Sequence, residues 1–386
     1  MWFFTSPEIV YGEEALARLE QLTGRRATIV TDANMVRLGL VKQVQNHLEA
    51  AGIESAIFAE VEPDPSIQTV RRATAAMLAY EPDVVIGLGG GSCLDAAKAA
   101  WFLYERPDVA LDEINPFQRF AMGKARLVAI PTTSGTGADA TIGVVLTDTE
   151  AQRKLTVYAR EFQPHISIVD PSLVMGLPPQ ITADTGLDVL SHSIEAFAGP
   201  WHNGFADGLC LVATKLVFTY LPRAYANGAD AEAREQMHNA ATMAGLALSN
   251  SSISLAHALA HAFGAIYHTP HGRTVGLFLP FTIEYTANGG GTRYAELARY
   301  LGLPAAGEAE GASSLANALR DLSRQVNQPT AIQAMGIEAA AFAEALPELV
   351  VRAAEDPQML TTVRVPDDSE LERLFQYAYD GRPIDF

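Results

Sequence analysis

The sequence contains few cysteines and few basic residues, and each shortage excludes a class of protein. Cys93 and Cys210 are the only cysteines among 386 residues. Two are too few for a disulfide framework and are typical of a reducing compartment. Lysine and arginine total 27 against 45 aspartates and glutamates, which gives a formal charge of −18. Because an acidic protein repels nucleic acid and acidic membrane surfaces, we expect neither as a partner.

Long hydrophobic runs are also scarce. The N-terminus, MWFFTSPEIV, has no basic segment before its short apolar run, so it does not resemble a secretory signal. No stretch approaches the roughly 18 to 20 apolar residues needed to cross a bilayer, so no membrane association is expected. These absences favour a soluble, cytoplasmic protein, and the chain is long enough to predict two domains.

The first half of the chain alternates strand-like and helix-like segments. Asp64–Ser66 predicts a turn and an N-cap for a helix that ends near Tyr80. Repeated strand–helix–strand units favour an α/β, Rossmann-like fold with a mostly parallel sheet covered on both faces. Strands are predicted at Arg26–Val30, Ser55–Val61, Asp83–Leu88, Leu127–Ile130 and Ile166–Asp170.

The pattern changes near Pro179. From Thr182 onward the sequence is rich in alanine and leucine and has helical spacing. We therefore predict a Rossmann-like dinucleotide-binding domain with a parallel sheet at residues 1–179. An all-α domain that binds metal and substrate is predicted at residues 180–386. Within it, Ala305–Ala312 is predicted to be a loop.

A glycine-rich turn follows the predicted strand that ends at Leu88. Gly89, Gly90 and Gly91 precede Ser92 and a helical segment. Glycines let backbone N–H groups approach an anion, and a helix N-terminus is partially positive, so the turn predicts a phosphate site. Ser92 could cap the helix and also donate to a phosphate. The alternative is a tight turn that only packs the strand on the helix, because the full dinucleotide fingerprint is not present.

Two further features suit a nucleotide. Asp32 follows the first predicted strand, where an acid can hydrogen-bond a ribose 2′-hydroxyl and repel a 2′-phosphate. That position favours NAD over NADP, although Asp32 could equally be a turn residue that caps the next element. The loop Thr132–Gly137 follows another strand and could line a cofactor cleft, or it could only satisfy its own backbone.

Acidic and imidazole side chains cluster in the second half. Asp188 and His192 are four residues apart in a predicted helix and therefore share one face. His257 and His261 repeat this spacing, and His271 follows soon after. Mixed nitrogen and oxygen ligands suit Fe(II), Zn(II), Co(II), Ni(II) or Mn(II). The pattern favours a metal held by the carboxylate and three histidines, although any single histidine could be a hydrogen-bonded core residue.

Together these motifs resemble the iron-containing (group III) alcohol dehydrogenase family over essentially the whole chain. The resemblance rests on SIVDPSLVMGLPPQITADTGLDVLSHSIE and SLAHALAHAFGAIYHTPHG, and on the loops GGGSCLDAAKA and PTTSGTGAD. It implies the fold shared with dehydroquinate synthase, in which a Rossmann-like N-terminal domain with a parallel sheet precedes an all-α C-terminal domain.

The resemblance also implies roles for individual residues. Fe2+ is the implied metal, with Zn2+ as the alternative, and its implied ligands are Asp188, His192, His257 and His271. His261 is implied to lie beside the nicotinamide, where it either relays the alcohol proton or only packs. The implied NAD contacts are Asp32, Gly90, Gly91, Ser92, Asp95, Thr132, Thr133, Thr136 and Lys154.

The implied activity is that of a metal-dependent, NAD(H)-linked alcohol dehydrogenase or aldehyde reductase. Hydride would pass between nicotinamide C4 and a small metal-bound alcohol or aldehyde, and the chain would form a homodimer or higher homo-oligomer. A glycerol-dehydrogenase-like polyol oxidoreductase, a dehydroquinate-synthase-like lyase and a non-catalytic NAD- or metal-binding protein are the alternatives. The lyase is disfavoured because Arg273 has no basic cluster around it.

The chain departs from the family's pattern at two positions. Asp139 stands where a glutamate is usual at the end of the second cofactor loop. Asp64 stands where an asparagine is usual before Pro65, which adds a negative charge near the expected adenosine end of the cofactor.

Overall fold

The computed structural model describes residues 3–150 and 153–386, which form two compact units. The first unit comprises residues 4–176, and the second comprises residues 177–386 together with Phe3. The first unit ends just before the boundary expected at Pro179, and the domain limits 1–179 and 180–386 stay a prediction.

The first unit is built on a six-stranded parallel sheet in the order β1-β8-β5-β4-β2-β3, as the strand–helix alternation predicts. All six residues of β4 are buried because the sheet is covered on both faces. The strands are β1 (Glu8–Tyr11), β2 (Arg26–Val30), β3 (Glu54–Phe58), β4 (Val84–Gly89), β5 (Arg126–Pro131), β6 (Gly143–Asp148), β7 (Arg153–Tyr158) and β8 (Ile166–Val169). The helices are α1 (Ala33–Arg37), α2 (Leu40–Ala50), α3 (Ile67–Tyr80) and α4 (Gly91–Glu105). Short 3-10 turns lie at Ala15–Gln21, Leu111–Glu113, Arg160–Phe162 and Pro171–Val174.

The N-cap predicted for α3 is confirmed, since the Ser66 hydroxyl accepts a hydrogen bond from the Thr69 amide at 3.1 Å. Two parts of the unit were not predicted. One is the edge strand β1, and the other is the antiparallel ribbon of β6 and β7. In β6, Val144 and Leu146 are buried whereas Val145 is exposed. The sequence does not show this alternation, because Val145 is as apolar as its two neighbours.

The described residues of the second unit form helices and loops, which confirms the all-α prediction. Pro179 is the first residue of α5, where proline's fixed φ and missing N–H are tolerated. The helices are α5 (Pro179–Ala198), α6 (Gly204–Ala226), α7 (Ala231–Ser249), α8 (Leu255–Tyr267), α9 (His271–Asn288), α10 (Tyr294–Tyr300), α11 (Glu308–Gln325), α12 (Ala339–Ala354) and α13 (Asp368–Asp380). Short 3-10 turns lie at Ile332–Met335 and Pro357–Thr361.

The loop predicted at Ala305–Ala312 is wrong in its second half, because α11 begins at Glu308. Two acids in its first turn, Glu308 and Glu310, complement the partial positive charge of a helix N-terminus. Gly311 is required there, since a Cβ would overlap the backbone of Ala295 on α10. Gly311 therefore serves close helix packing within a helix and not a loop.

By length and composition alone, α6 could cross a membrane, with a mean hydropathy of 1.4 in its most apolar window. This corrects the expectation that no segment is long and apolar enough. One side of the helix packs into the hydrophobic core of its unit through Ala206, Cys210, Ala213 and Val217. A core helix of a globular protein passes the same test of length and hydropathy.

Candidate active site

The helical unit brings the four predicted metal ligands together. Asp188 and His192 lie one turn apart on α5, His257 lies in the first turn of α8, and His271 is the first residue of α9. The Nε2 atoms of His192 and His271 are 3.6 and 3.5 Å from Asp188 Oδ1. Ligand atoms of Asp188, His192 and His257 all lie within 4.8 Å of one another. Three separate helices therefore converge on one carboxylate.

Close packing of α9 against α5 places His271. A Cβ at Gly272 would overlap the Asp184 carbonyl oxygen, so only glycine lets the first turn of α9 approach this closely. The neighbouring Arg273 pairs with both carboxylate oxygens of Asp184, each at 3.1 Å. Gln328 Nε2 also donates to this carboxylate, at 2.8 Å. Asp184 thus ties the start of α9 to α5, one turn before Asp188.

Three buried atoms of the centre have no hydrogen-bond partner among the described residues: Asp188 Oδ1, His192 Nδ1 and His257 Nε2. Asp188 is 2% exposed and His257 is 1% exposed. Leaving such atoms unpaired in the interior is costly, which indicates a ligand that satisfies them. Carboxylate oxygens and imidazole nitrogens are ligands of Fe2+ and Zn2+. The residues therefore fit a divalent metal.

Electrostatics in the centre favours the ligand forms of these side chains. Burial lowers the pKa of His257 well below its usual value, and the neighbouring His192 and His271 lower it further. Burial tends to raise the pKa of Asp188, but the surrounding histidines outweigh that effect and the pKa is lowered. A neutral imidazole and an ionised carboxylate are the forms that bind a metal.

Glu195 orients His257 and was not singled out from the sequence. Its Oε2 accepts a hydrogen bond from His257 Nδ1 at 2.5 Å, and its Oε1 accepts from the Ala256 amide at 2.6 Å. Because a carboxylate only accepts, the proton of neutral His257 lies on Nδ1 and its lone pair on Nε2. Such a carboxylate–histidine pair typically supports a metal site. Its position, three residues after His192 on the same helix, was the available signal.

His261 lies one turn beyond His257 on α8, and its side chain is 30% exposed. Its ring stacks on that of His271, with centroids 5.4 Å apart. The Nδ1 atom is 2.8 Å from Asp356 Oδ2. Burial tends to raise the pKa of Asp356, but the hydrogen bond and charge of His261, together with the Gln358 amide, outweigh that effect and the pKa is lowered. His261 is therefore next to the ligand cluster, with one nitrogen already committed to a carboxylate.

In the α/β unit, the glycine-rich turn joins β4 to α4. Gly89 has a φ of 144°, and a Cβ there would lie 2.6 Å from Cys93 Sγ. A Cβ at Gly91 would lie 2.8 Å from Thr136 Cγ2. The proposal that Ser92 caps α4 is wrong, because the helix begins at Gly91 with Gly90 as its N-cap. Gly89 and Gly91 therefore lie where a side chain would overlap Cys93 and Thr136.

The loop after β5 lies against this turn. The Thr132 amide donates to the Gly89 carbonyl oxygen at 3.0 Å. A Cβ at Gly90 would lie 3.3 Å from Thr133 Cγ2. The predicted contacts Gly90, Gly91, Thr132, Thr133 and Thr136 are thus gathered at the carboxyl ends of β4 and β5, which is where ligands bind in parallel α/β sheets.

Asp32 caps α1. Its Oδ1 accepts hydrogen bonds from the Asn34 amide at 2.6 Å and the Met35 amide at 3.0 Å. Its Oδ2 is 3.4 Å from the thiol of Cys93 on α4, which places the carboxylate next to the glycine-rich turn. Capping of α1 uses Oδ1 of Asp32, so Oδ2 could still bind a ribose hydroxyl. That contact stays a prediction.

The remaining predicted contacts have protein partners in the α/β unit. The Ser92 hydroxyl accepts from the Asp64 amide at 3.3 Å, and Asp95 Oδ2 accepts from the Val145 amide at 2.9 Å. Burial raises the pKa of Asp95 to about 6. Lys154 Nζ is 2.5 Å from Asp64 Oδ1. The negative charge added by Asp64 is therefore balanced within the protein.

Asp139, the other departure from the family's pattern, is buried at 2% exposure. Its Oδ2 accepts a hydrogen bond from the Ser167 hydroxyl on β8 at 2.7 Å. The shorter carboxylate therefore ties the end of the second loop to the sheet.

Comparison with known proteins covers both units. Residues 6–171 match the family model described as iron-containing alcohol dehydrogenase. Residues 182–379 match the model described as Fe-containing alcohol dehydrogenase family, C-terminal. The chain is 36% identical over 390 residues to the NADPH-dependent butanol dehydrogenase of Clostridium saccharobutylicum, covering 100% of both chains.

Longer proteins and solved structures are also similar. The chain is 39% identical to aldehyde-alcohol dehydrogenase 2 of Entamoeba histolytica, covering 98% of this chain and 46% of that longer one. Sulfoacetaldehyde reductase from Bifidobacterium kashiwanohense, solved in complex with NAD+, is similar with a TM-score of 0.88 and 28% identity. That match covers 98% of this chain and 99% of the other.

The fold and the carboxylate–histidine centre define a protein with a parallel α/β unit and a helical unit that fits a divalent metal. The chain belongs to the iron-containing alcohol dehydrogenase family. The resemblance inferred from its motifs is thereby confirmed.

Proposed function

We propose that the chain is a metal-dependent, NAD(H)-linked alcohol dehydrogenase that also reduces aldehydes, acting on small alcohols and aldehydes. The convergence of Asp188, His192, His257 and His271, with Asp188 Oδ1 and His257 Nε2 buried and unpaired, carries the proposal. Similar proteins include a butanol dehydrogenase and a sulfoacetaldehyde reductase, which supports this substrate class.

The four ligands would hold the metal, and Glu195 would keep the lone pair of His257 on Nε2. When bound, a divalent metal supplies Lewis acidity at the substrate oxygen, and nicotinamide supplies the hydride acceptor or donor. Fe2+ is favoured over Zn2+ by the family. His261, which lies next to the ligand cluster, would accept and release the hydroxyl proton on the ring nitrogen that does not bond to Asp356.

The backbone amides of Gly90 and Gly91, at the N-terminus of α4, would hold the cofactor phosphates. The similar butanol dehydrogenase is NADPH-dependent, whereas the similar reductase was solved with NAD+. The Asp32 carboxylate beside the glycine-rich turn favours NAD by repelling a 2′-phosphate. The hydroxyls of Ser92, Thr132, Thr133 and Thr136, together with Asp95 and Lys154, complete the proposed cofactor contacts.

The lyase alternative requires free basic groups for an acidic, phosphorylated substrate. Arg273 is held in a bidentate pair by Asp184, which favours the alcohol dehydrogenase instead. We further propose a cytoplasmic homodimer or higher homo-oligomer. Cys93 and Cys210 are buried and form no disulfide, which supports a reducing compartment. Light scattering would measure the oligomeric state.

The proposed function is tested on protein purified without oxygen. Metal analysis should find bound iron, and a panel of primary alcohols and aldehydes should change the absorbance of the reduced nicotinamide. Glycerol in the panel identifies a polyol oxidoreductase. Full turnover after the metal has been removed, or no turnover of any alcohol or aldehyde with either nucleotide, would overturn the proposal.

A further inference from the structure

Asp356 lies outside the sequence motifs, yet both of its carboxylate oxygens have defined partners. Oδ1 accepts a hydrogen bond from the Gln358 amide at 2.8 Å and so caps the 3-10 turn Pro357–Thr361. Oδ2 accepts from His261 Nδ1, also at 2.8 Å. Its side chain is only 10% exposed. The carboxylate is therefore held in one orientation.

The turn that carries Asp356 is anchored to the start of the helix that carries His261. Thr361, at the end of the turn, donates from its hydroxyl to the Ile253 carbonyl oxygen at 2.6 Å. Ile253 lies two residues before α8 begins at Leu255. This link fixes the distance between the carboxylate and His261.

The geometry also sets the tautomer of His261. Because an ionised carboxylate only accepts hydrogen bonds, the proton of the neutral ring lies on Nδ1 and the lone pair on Nε2. The same arrangement, a buried carboxylate on the far nitrogen of an imidazole, orients the general base of serine proteases. Of the two ring nitrogens, Nε2 is then the one able to accept a proton.

We propose that Asp356 is a positioning residue, which fixes the ring orientation of His261 and leaves Nε2 as the ring nitrogen without a proton. The inference rests on the proposed function. In that reaction hydride would pass from the alcohol carbon to NAD+ and the hydroxyl proton would pass to Nε2, which gives an aldehyde and NADH. The proton would then leave Nε2 for solvent, and the reverse steps would reduce an aldehyde.

The substitution Asp356→Asn separates positioning from folding. Asparagine keeps an oxygen that can cap the Gln358 amide, so its NH2 group would face Nδ1 and move the ring proton to Nε2. We expect kcat for alcohol oxidation to fall roughly 10²-fold or more, with little change in KM and with bound metal retained. Asp356→Glu should recover part of the rate. The matched control Asp367→Asn, at the exposed N-cap of α13, should leave kcat unchanged.

A double-mutant cycle tests whether Asp356 acts through His261. If it does, the combined Asp356→Asn and His261→Asn variant should be no slower than His261→Asn alone. Multiplied losses in the double variant, or a native kcat in Asp356→Asn, would overturn the inference, because a purely structural role predicts independent effects.

A spectroscopic measurement separates this inference from the proposed function. In zinc-loaded protein labelled with nitrogen-15 histidine, the ring proton of His261 should lie on Nδ1, and it should move to Nε2 in Asp356→Asn. An unchanged tautomer would overturn the Asp356 inference even if the native enzyme is fully active. An inactive native enzyme in which the tautomer still moves would instead overturn the proposed alcohol dehydrogenase, and the proton-transfer role with it.

Discussion

The two units present their candidate binding groups in opposite ways. In the α/β unit, Asp32 caps α1, Asp95 accepts from Val145, and Lys154 pairs with Asp64. In the helical unit, by contrast, buried atoms of the ligand cluster lack protein partners. A phosphate site requires only backbone amides and room for the anion, whereas a metal site requires side-chain atoms without protein partners. Adding a Cβ should therefore damage the first site, and removing a side chain should damage the second.

The largest expected effect is that of His257→Ala. Losing a buried ligand should remove the bound metal and reduce turnover by about 10³-fold or more. Metal analysis and the reduced-nicotinamide absorbance measure both effects, and NADH fluorescence should show that nucleotide binding is retained. His47→Ala, at a histidine paired with Glu20 in the α/β unit, is the control. Native turnover in a metal-free variant would refute the metal mechanism.

A smaller effect is expected for Glu195→Gln. Glutamine keeps one accepting oxygen but loses the second acceptor, so it no longer satisfies both His257 and the start of α8. Metal affinity should fall by roughly 10–100-fold, measured by competition with a coloured chelator. Glu232→Gln, at a residue in the first turn of α7, is the matched control. If the metal Kd stays native, Glu195 does not tune the site.

In the other unit, Gly91→Ala should weaken nucleotide binding without loss of metal. The new Cβ would lie 2.8 Å from Thr136 Cγ2 and force the two loops apart. Overpacking of this kind predicts a roughly 10-fold higher Kd for NADH in a fluorescence titration. The control is Gly123→Ala, where a Cβ meets open space. Equal affinities in both variants would contradict a cofactor site at this turn.

The smallest effect is expected for Asp32→Ser or Asp32→Gly, which remove the charge proposed to exclude NADP. Serine can still cap α1, so the serine variant isolates the charge. The preference for NAD+, as the ratio of the two kcat/KM values, should fall several-fold to about 10-fold. An unchanged ratio would refute the ribose role of Asp32.

Local sequence patterns predicted correctly those strands and helices whose residues form a regular pattern within a short segment. Strand β2 was predicted at Arg26–Val30 and has those bounds in the structure. The predicted ends of helices were wrong where contacts with residues distant in sequence place a residue in a different element. Gly311 was predicted to lie in a loop, but it lies in α11 and packs against Ala295. Ser92 was predicted to cap α4, but that helix begins one residue earlier. Packing across a unit thus overrides local preference.

The sequence by itself determined the parallel α/β unit, the helical unit, and the four residues proposed as the ligand set. Helical periodicity places Asp188 and His192 on one face, and the motifs name the rest. Only the tertiary structure decided which carboxylates orient the histidines. Glu195 is 62 residues from His257, and Asp356 is 95 residues from His261. No local period links residues so far apart, because their contact depends on how α5, α8 and the turn at Asp356 pack.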